Sequence, residues 1–169
     1  MLIRSARPAE YDAVGALTVA GYDNEGYLVM PDGSYDHRYA GWLGDAAPRG
    51  QDGHLLVAVE GDELLGTVTW CPPGSLHREV ATQDHHGEFR TLAVSPDARQ
   101  RGVARQLVDE CLRRARALNL TEMRLCSLPT MAPAHRLYES FGFVRRPELD
   151  WDPVPGVHLW AFSAPLTGD

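Results

Sequence analysis

The stretch Glu88–Leu120 restricts the chain to a small set of folds. Glu88–Val94 is dense in branched and aromatic side chains and reads as a strand. Ser95-Pro96-Asp97 ends it, because proline fixes its own φ and steers its predecessor out of the helical region. From Gly102 onward Val103, Leu107, Cys111, Ala115 and Leu118 fall at helical spacing. A strand passed through a basic turn directly into a helix is a unit of mixed α/β domains, with the helix returning over a sheet.

The turn itself predicts a ligand. The first N–H groups of a helix have no partner inside it, and a Ser, Thr, Asp or Asn normally supplies one. Here Arg99, Gln100 and Arg101 precede Gly102, and none is a good cap. The helix dipole adds partial positive charge at that end, contributing roughly 0.3–1 kcal/mol for each favourable charge placed there. Arg99, Arg101 and Arg105 add full charges, and Gly102 lets an anion approach the backbone closely. The combination points to phosphate. A plainer reading stays open at this stage: glycine is a tolerable N-cap, and arginines are common on solvated helix starts.

Two motifs narrow the choice. Arg99-x-x-Gly102-x-Ala104, entered from Leu92-Ala93-Val94, resembles the acetyl-CoA signature of the GNAT superfamily of N-acetyltransferases. Leu137-Tyr138-Glu139-Ser140-Phe141-Gly142-Phe143 resembles that family's later helix-to-strand motif, in the family's order. The resemblance covers roughly residues 88–145 and implies an α/β (α+β) fold in one domain over residues 1–169. Its central sheet would be mixed, mostly antiparallel and splayed at the cofactor site, with helices on both faces. It further implies acetyl-CoA as acyl donor and a small-molecule or peptide amine as acceptor. Leu92, Ala93 and Val94 would hold the pantetheine arm through their backbones. The segment Arg99, Gln100, Arg101, Gly102, Val103, Ala104 and Arg105 would hold the diphosphate. A homodimer is a family tendency. Many members have asparagine seven residues before the tyrosine, whereas Met131 stands there in this chain.

Two residues carry the expected chemistry. The family motif places an acid at Tyr138, which would protonate the departing thiolate; a phenol near pKa 10 suits a thiolate of comparable basicity. As a core aromatic, Tyr138 would instead only line the apolar stripe Met131, Ala134, Leu137, Tyr138 and Phe141. Some members carry a base six residues before the last branched residue of the central strand, which here is Glu88 before Val94. Burial would raise its pKa toward a useful range, and a water relay is the alternative. The structural reading of Glu88 puts it on the rim, paired with Arg90.

Elsewhere the chain reads as follows. Leu2–Ser5 is a strand, and Pro8 opens a helix carrying Val14, Leu17 and Val19. Ser34 is expected to cap a helix through about Asp45, with a loop from Ala46 to Gly53. His54–Glu60 and Glu63–Trp70 form a tight hairpin, and a polar loop spans Ser75–Gly87 with His77, His85 and His86 solvent-exposed. Thr121–Leu128 is a strand, Thr130 caps the next helix and Gly142 ends it. Strands follow at Phe143–Arg146 and Val157–Ala164, joined by a proline-punctuated connection holding Trp151.

Absences exclude whole classes. All sixteen basic residues are arginine. Without lysine there is no Walker P-loop and no Schiff-base chemistry. The net charge of −7 argues against nucleic acid, and could draw in cationic amines. No apolar stretch is long enough to predict a membrane span, and the first residues lack a signal-peptide core. Cys71, Cys111 and Cys126 are odd in number without Cys-x-x-Cys, which suits unpaired thiols in a reducing cytoplasm. The histidine spacing matches no zinc signature, so no metal is expected. Two other classes stay open: a non-catalytic CoA-binding regulatory module of the same fold, and an unrelated α/β binding protein.

Overall fold

The computed structural model describes residues 1–51 and 53–166. They fall into two compact units, Met1–Trp70 with Thr91–Glu110, and Cys71–Arg90 with Cys111–Asp169. Among the described residues eight strands are ordered β1-β2-β3-β4-β5-β8-β6, with β7 paired to β8.

In the first unit β1 (Leu2–Ser5) and β2 (Leu55–Glu60) are antiparallel, as are β2 and β3 (Glu63–Cys71). Gly61, at φ 59°, and Asp62 make the two-residue turn that the sequence predicts. Leu55–Val59 is buried without interruption, so β2 is enclosed on both faces. Helix α1 (Tyr11–Asn24) follows a single 3-10 turn at Pro8–Glu10. Helix α2 (His37–Gly44) is capped by Asp36, whose carboxylate accepts the Tyr39 N–H at 2.9 Å. Ser34, the expected cap, instead hydrogen-bonds Asp32 in a preceding turn, because Asp36 lies at the geometry the first helical turn needs. The segment read as a loop contains a short helix, α3 (Ala47–Gly50). Its Arg49 is buried and donates to the carbonyls of Trp42, Leu43 and Asp45 at 2.8–3.1 Å, which satisfies the open end of α2.

Arg4 and Glu10 clasp the start of this unit. Two guanidinium N–H groups meet the two carboxylate oxygens at 2.7 and 2.8 Å, and the Arg7 N–H donates to the same carboxylate. The Arg4 hydrogen bonds pull the Glu10 pKa down to about 2 from its ordinary 4.5. A depressed folded-state pKa contributes stability that is complete above 4.5 and disappears as pH falls through about 2. Glu10→Gln is therefore expected to lose on the order of 1 kcal/mol at pH 7, after allowance for solvent screening. Urea denaturation checks this, and the gap to the native chain should close between pH 4.5 and 2.

Strand β4 (His86–Val94) begins in the second unit and ends in the first. It starts at His86, two residues before the strand read from the sequence, and His86 is 4 % exposed rather than solvated. Its ring lies against the Arg124 guanidinium, and burial first, then Arg124, lowers its pKa. Over His86–Glu88 the strand pairs in parallel with Glu122–Arg124 of β5 (Glu122–Ser127). Strand β8 (Val157–Pro165) runs antiparallel to β5, to β6 (Val144–Arg145) and to β7 (Trp151–Val154). Trp151 thus belongs to a β-hairpin turned at Gly156, φ 84°, and not to an irregular connection.

Helix α4 (Val103–Ala117) buries Val103, Leu107, Cys111 and Ala115 as its spacing predicts. Leu118 is 53 % exposed, because the helix has ended and Asn119 takes a left-handed turn at φ 55°. Helix α5 (Ala132–Glu139) has Met131 rather than Thr130 at its N-cap, without a side-chain cap. It buries His135 and Tyr138, while Ala134, Leu137 and Phe141 are half-buried. Gly142, φ 84°, ends it as expected, with the Phe143 N–H donating back to the Tyr138 carbonyl at 3.1 Å.

Candidate active site

The first unit contains the turn read from the sequence as a phosphate site. Thr91 has φ 51° inside β4, an outlier for a β-branched residue. The buried hydroxyls of Thr91 and Thr69 lie 2.7 Å apart, which helps hold the kink. Leu92, Ala93 and Val94 follow it, and the Ser95 N–H then donates to the Leu65 carbonyl at 2.9 Å. Such strain of ~1–3 kcal/mol persists where surrounding packing over-determines it, and it concentrates at functional sites.

Past the Pro96–Ala98 turn, Gln100 has φ 59° and Gly102 has φ 77°, while Arg101 between them is not positive. This alternation turns successive amides toward one concavity. The Gly102 carbonyl accepts the Gln106 N–H at 3.1 Å, which makes glycine the N-cap of α4. Among the described residues no side chain accepts from the Val103 or Ala104 N–H, and no acidic residue occupies the first turn. The turn read from the sequence as lacking a good capping side chain is capped by glycine alone.

The arginines of this turn are engaged. Arg99 pairs with Glu25 and also reaches the Gly21 carbonyl at 3.4 Å. Arg101 meets Glu60 at 2.5 Å, where both side chains are largely exposed. Exposed ion pairs of this kind are weak competitors for a multiply charged phosphate.

The second unit holds both expected chemical residues. Tyr138 projects from α5 into an aromatic nest, with ring centroids 5.8 Å from Phe89, 6.0 Å from Phe143 and 6.2 Å from Phe162. Glu88 and Phe89 are neighbours on β4, and strand side chains alternate between faces. Tyr138 therefore stands on the Phe89 face, and Glu88 lies on the opposite one.

Glu88 is not on the rim. It is 0 % exposed, and one carboxylate oxygen accepts the N–H groups of Glu79, Val80 and Ala81, each at 2.9 Å. Burial pushes its pKa up, and those three amides oppose the rise. Arg90, expected to pair with Glu88, pairs with Glu79 and donates to the His77 carbonyl at 3.0 Å. Glu79 escaped sequence reading because a glutamate in a polar loop looks solvated. Burial holds its pKa up at about 7, with Arg90 pulling down and Glu88 pushing up.

Other nucleophiles are disabled. Burial, then the charge of Glu88, raises the Cys71 thiol to about 12, and burial raises Cys126 to about 12. Neither is a thiolate at neutral pH. Burial lowers the pKa of His135, whose ring lies 3.1 Å from the Ser127 hydroxyl. Met131, where the family resemblance leads one to expect asparagine, turns its thioether to the Ser127 hydroxyl at 3.3 Å. Among the described residues no three His, Cys, Asp or Glu side chains are placed to hold a metal, and no helix is long and apolar enough to cross a membrane.

Comparison with known proteins agrees with this geometry. The chain is 35 % identical over 103 residues to the uncharacterized N-acetyltransferase YsnE of Bacillus subtilis, covering 60 % of this chain and 62 % of that protein. It is 31 % identical over 151 residues to a mycothiol acetyltransferase of Acidothermus cellulolyticus, covering 83 % of this chain and 44 % of the relative. The chain thus spans less than two thirds of either relative's length. Among solved structures, yncA of Salmonella typhimurium with its cofactor acetyl-CoA superposes with a TM-score of 0.64 at 18 % identity, over 100 % of this chain and 95 % of that one. That likeness is one of fold. The model of the acetyltransferase (GNAT) family matches residues 10–143, and the chain belongs to that family.

Proposed function

We propose that the chain is one acetyltransferase domain that moves an acetyl group from acetyl-CoA to a primary amine. The open, arginine-flanked amides at Gly102–Ala104 carry this reading, because they fit a diphosphate and nothing else in the described chain claims them. Arg99, Arg101 and Arg105 add charge, and the Leu92–Val94 backbone takes the pantetheine arm. The kink at Thr91 favours this, since it changes the course of the strand just ahead of those residues.

Both substrates bind together. The neutral amine attacks the thioester carbon, the carbon–sulfur bond breaks, and no acyl-enzyme forms. The raised pKa of the buried Cys71 and the half-buried Cys126 supports direct attack, since neither thiol is a competent nucleophile. Tyr138 gives a proton to sulfur. A carboxylate on the face of β4 opposite Phe89 removes one from nitrogen. Juxtaposing the reactants supplies much of the rate. Acceptors of the small-amine or peptide class suit the acidic composition.

Calorimetry with CoA, followed by free-thiol release with a panel of amines, tests the reading. Absence of CoA binding removes it, and binding without transfer to any amine leaves a regulatory CoA module. Gly102→Ala is the sharper probe. An added Cβ meets nothing within 4 Å, so the fold should survive. The left-handed backbone, however, costs a non-glycine residue about 1–2 kcal/mol. The expected result is a CoA Kd raised about tenfold. An unchanged Kd would place the diphosphate elsewhere.

A further inference from the structure

We propose that Glu79 is the carboxylate that takes the acceptor's proton, and that Glu88 touches no substrate but holds Glu79 in position. This rests on the acetyl-transfer reading and specifies its proton path.

Glu88 is badly placed to act as a base. One of its oxygens is saturated by three backbone N–H groups. The other is enclosed, with no hydrogen-bond partner among the described residues. A base must come within hydrogen-bond reach of the proton or stand one water away. An oxygen sealed from solvent, on a side chain 0 % exposed, meets neither condition without the loop opening.

Glu79 is not sealed in this way. Its own N–H is one of the three held by Glu88, so its backbone is fixed to β4. Its side chain lies against Arg90 and is 17 % exposed, open to solvent at one edge. Glu88 and Arg90 are two apart on β4 and share the face opposite Tyr138. Arg124, in register with Glu88, reaches the Val80 carbonyl at 2.9 Å, which confirms that the 79–81 segment covers this face.

The groups that face Glu79 are Glu88 and Arg90 from β4, Cys71 from β3 and Cys126 from β5. Among them only Arg90 is cationic. Burial is the largest influence on Glu79 and holds it at about 7, where a general base is most effective at neutral pH. In the reaction the amine nitrogen bonds to the acyl carbon and its proton passes to Glu79. The carbon–sulfur bond breaks, and sulfur takes its proton from Tyr138. Solvent then removes the proton from Glu79 and restores the one on Tyr138.

The test compares Glu79→Gln with Glu88→Gln in the full chain. Thiol release is followed from pH 5.5 to 9 with acetyl-CoA and each of spermidine, L-alanine and an alanine-initiated tripeptide. The native chain should show a rate rising through about pH 7. Glu79→Gln should lower kcat/KM about 10²-fold or more and abolish that acid limb, with CoA affinity unchanged. Glu88→Gln keeps an oxygen to accept the three amides. It should retain most of the rate and move the limb to lower pH, because the charge that raises Glu79 is gone. The reverse pattern, in which Glu88→Gln removes both rate and limb while Glu79→Gln keeps them, overturns the assignment and leaves the transfer reading intact. Carboxyl carbon NMR on the protein alone gives a second readout. A Glu79 resonance titrating near the ordinary 4.5 also overturns it. Silence of the native chain with every amine overturns the transfer reading itself, and this assignment with it.

Discussion

Tyr138→Phe should reduce kcat for acetyl transfer about 10²–10³-fold and leave the acetyl-CoA Kd nearly unchanged. The substitution removes one oxygen from a ring that packs on Phe89, Phe143 and Phe162, and phenylalanine preserves all three contacts. Stability and cofactor affinity, which depend on the ring and on the Gly102 turn, should therefore hold. On the proposed mechanism the loss is the proton delivered to sulfur, an interaction made only as the carbon–sulfur bond breaks, so the effect falls on kcat. Steady-state kinetics beside calorimetry makes the measurement. An unaltered kcat returns Tyr138 to the role of a core aromatic.

Gly15→Ala should destabilise the first unit by about 3 kcal/mol, the upper end of what over-packing costs. A Cβ at this position would stand 1.8 Å from the Gly44 carbonyl oxygen and 2.7 Å from its carbon. Both are backbone atoms at the end of α2, so no side chain can swing aside. Two glycines facing one another let α1 and α2 approach to backbone contact, and an added methyl forces them apart. Alanine's better helix propensity, worth about 1 kcal/mol, offsets only part of this. Scanning calorimetry should show a Tm lowered by about 6–12 °C for a chain of this size. A Tm within 1–2 °C of the native value would mean that the helices do not meet at these glycines. The same shift should appear in the urea midpoint, with little change in slope.

The parts of this protein legible in its sequence share a property: each is decided by residues close together in the chain. Pro96 followed by Gly102, with no side-chain cap between them, specifies the strand–turn–helix, because caps and φ preferences act within three or four positions. Gly61-Asp62 sets the β2–β3 hairpin in the same way, and Gly142 sets the end of α5. Where two caps competed within a few residues the sequence misled, since Asp36 and Ser34 are both good caps and only the path of the chain chose between them. Strand β7 was missed because Pro153 and Pro155 disguise it; pairing with β8 overrides that local signal.

Local sequence determined the strand–helix junction, the family and the identities of Tyr138 and Glu88. Tertiary structure alone decided how those side chains are placed: the left-handed Thr91, the burial of Glu88 under three amides, the Glu79–Arg90 pair, and Tyr138 on the Phe89 face of β4 opposite Glu88. The reason is physical. Burial and charge pairing depend on which distant segments close over a residue, and a carboxylate's desolvation is fixed by that enclosure rather than by its neighbours in the chain.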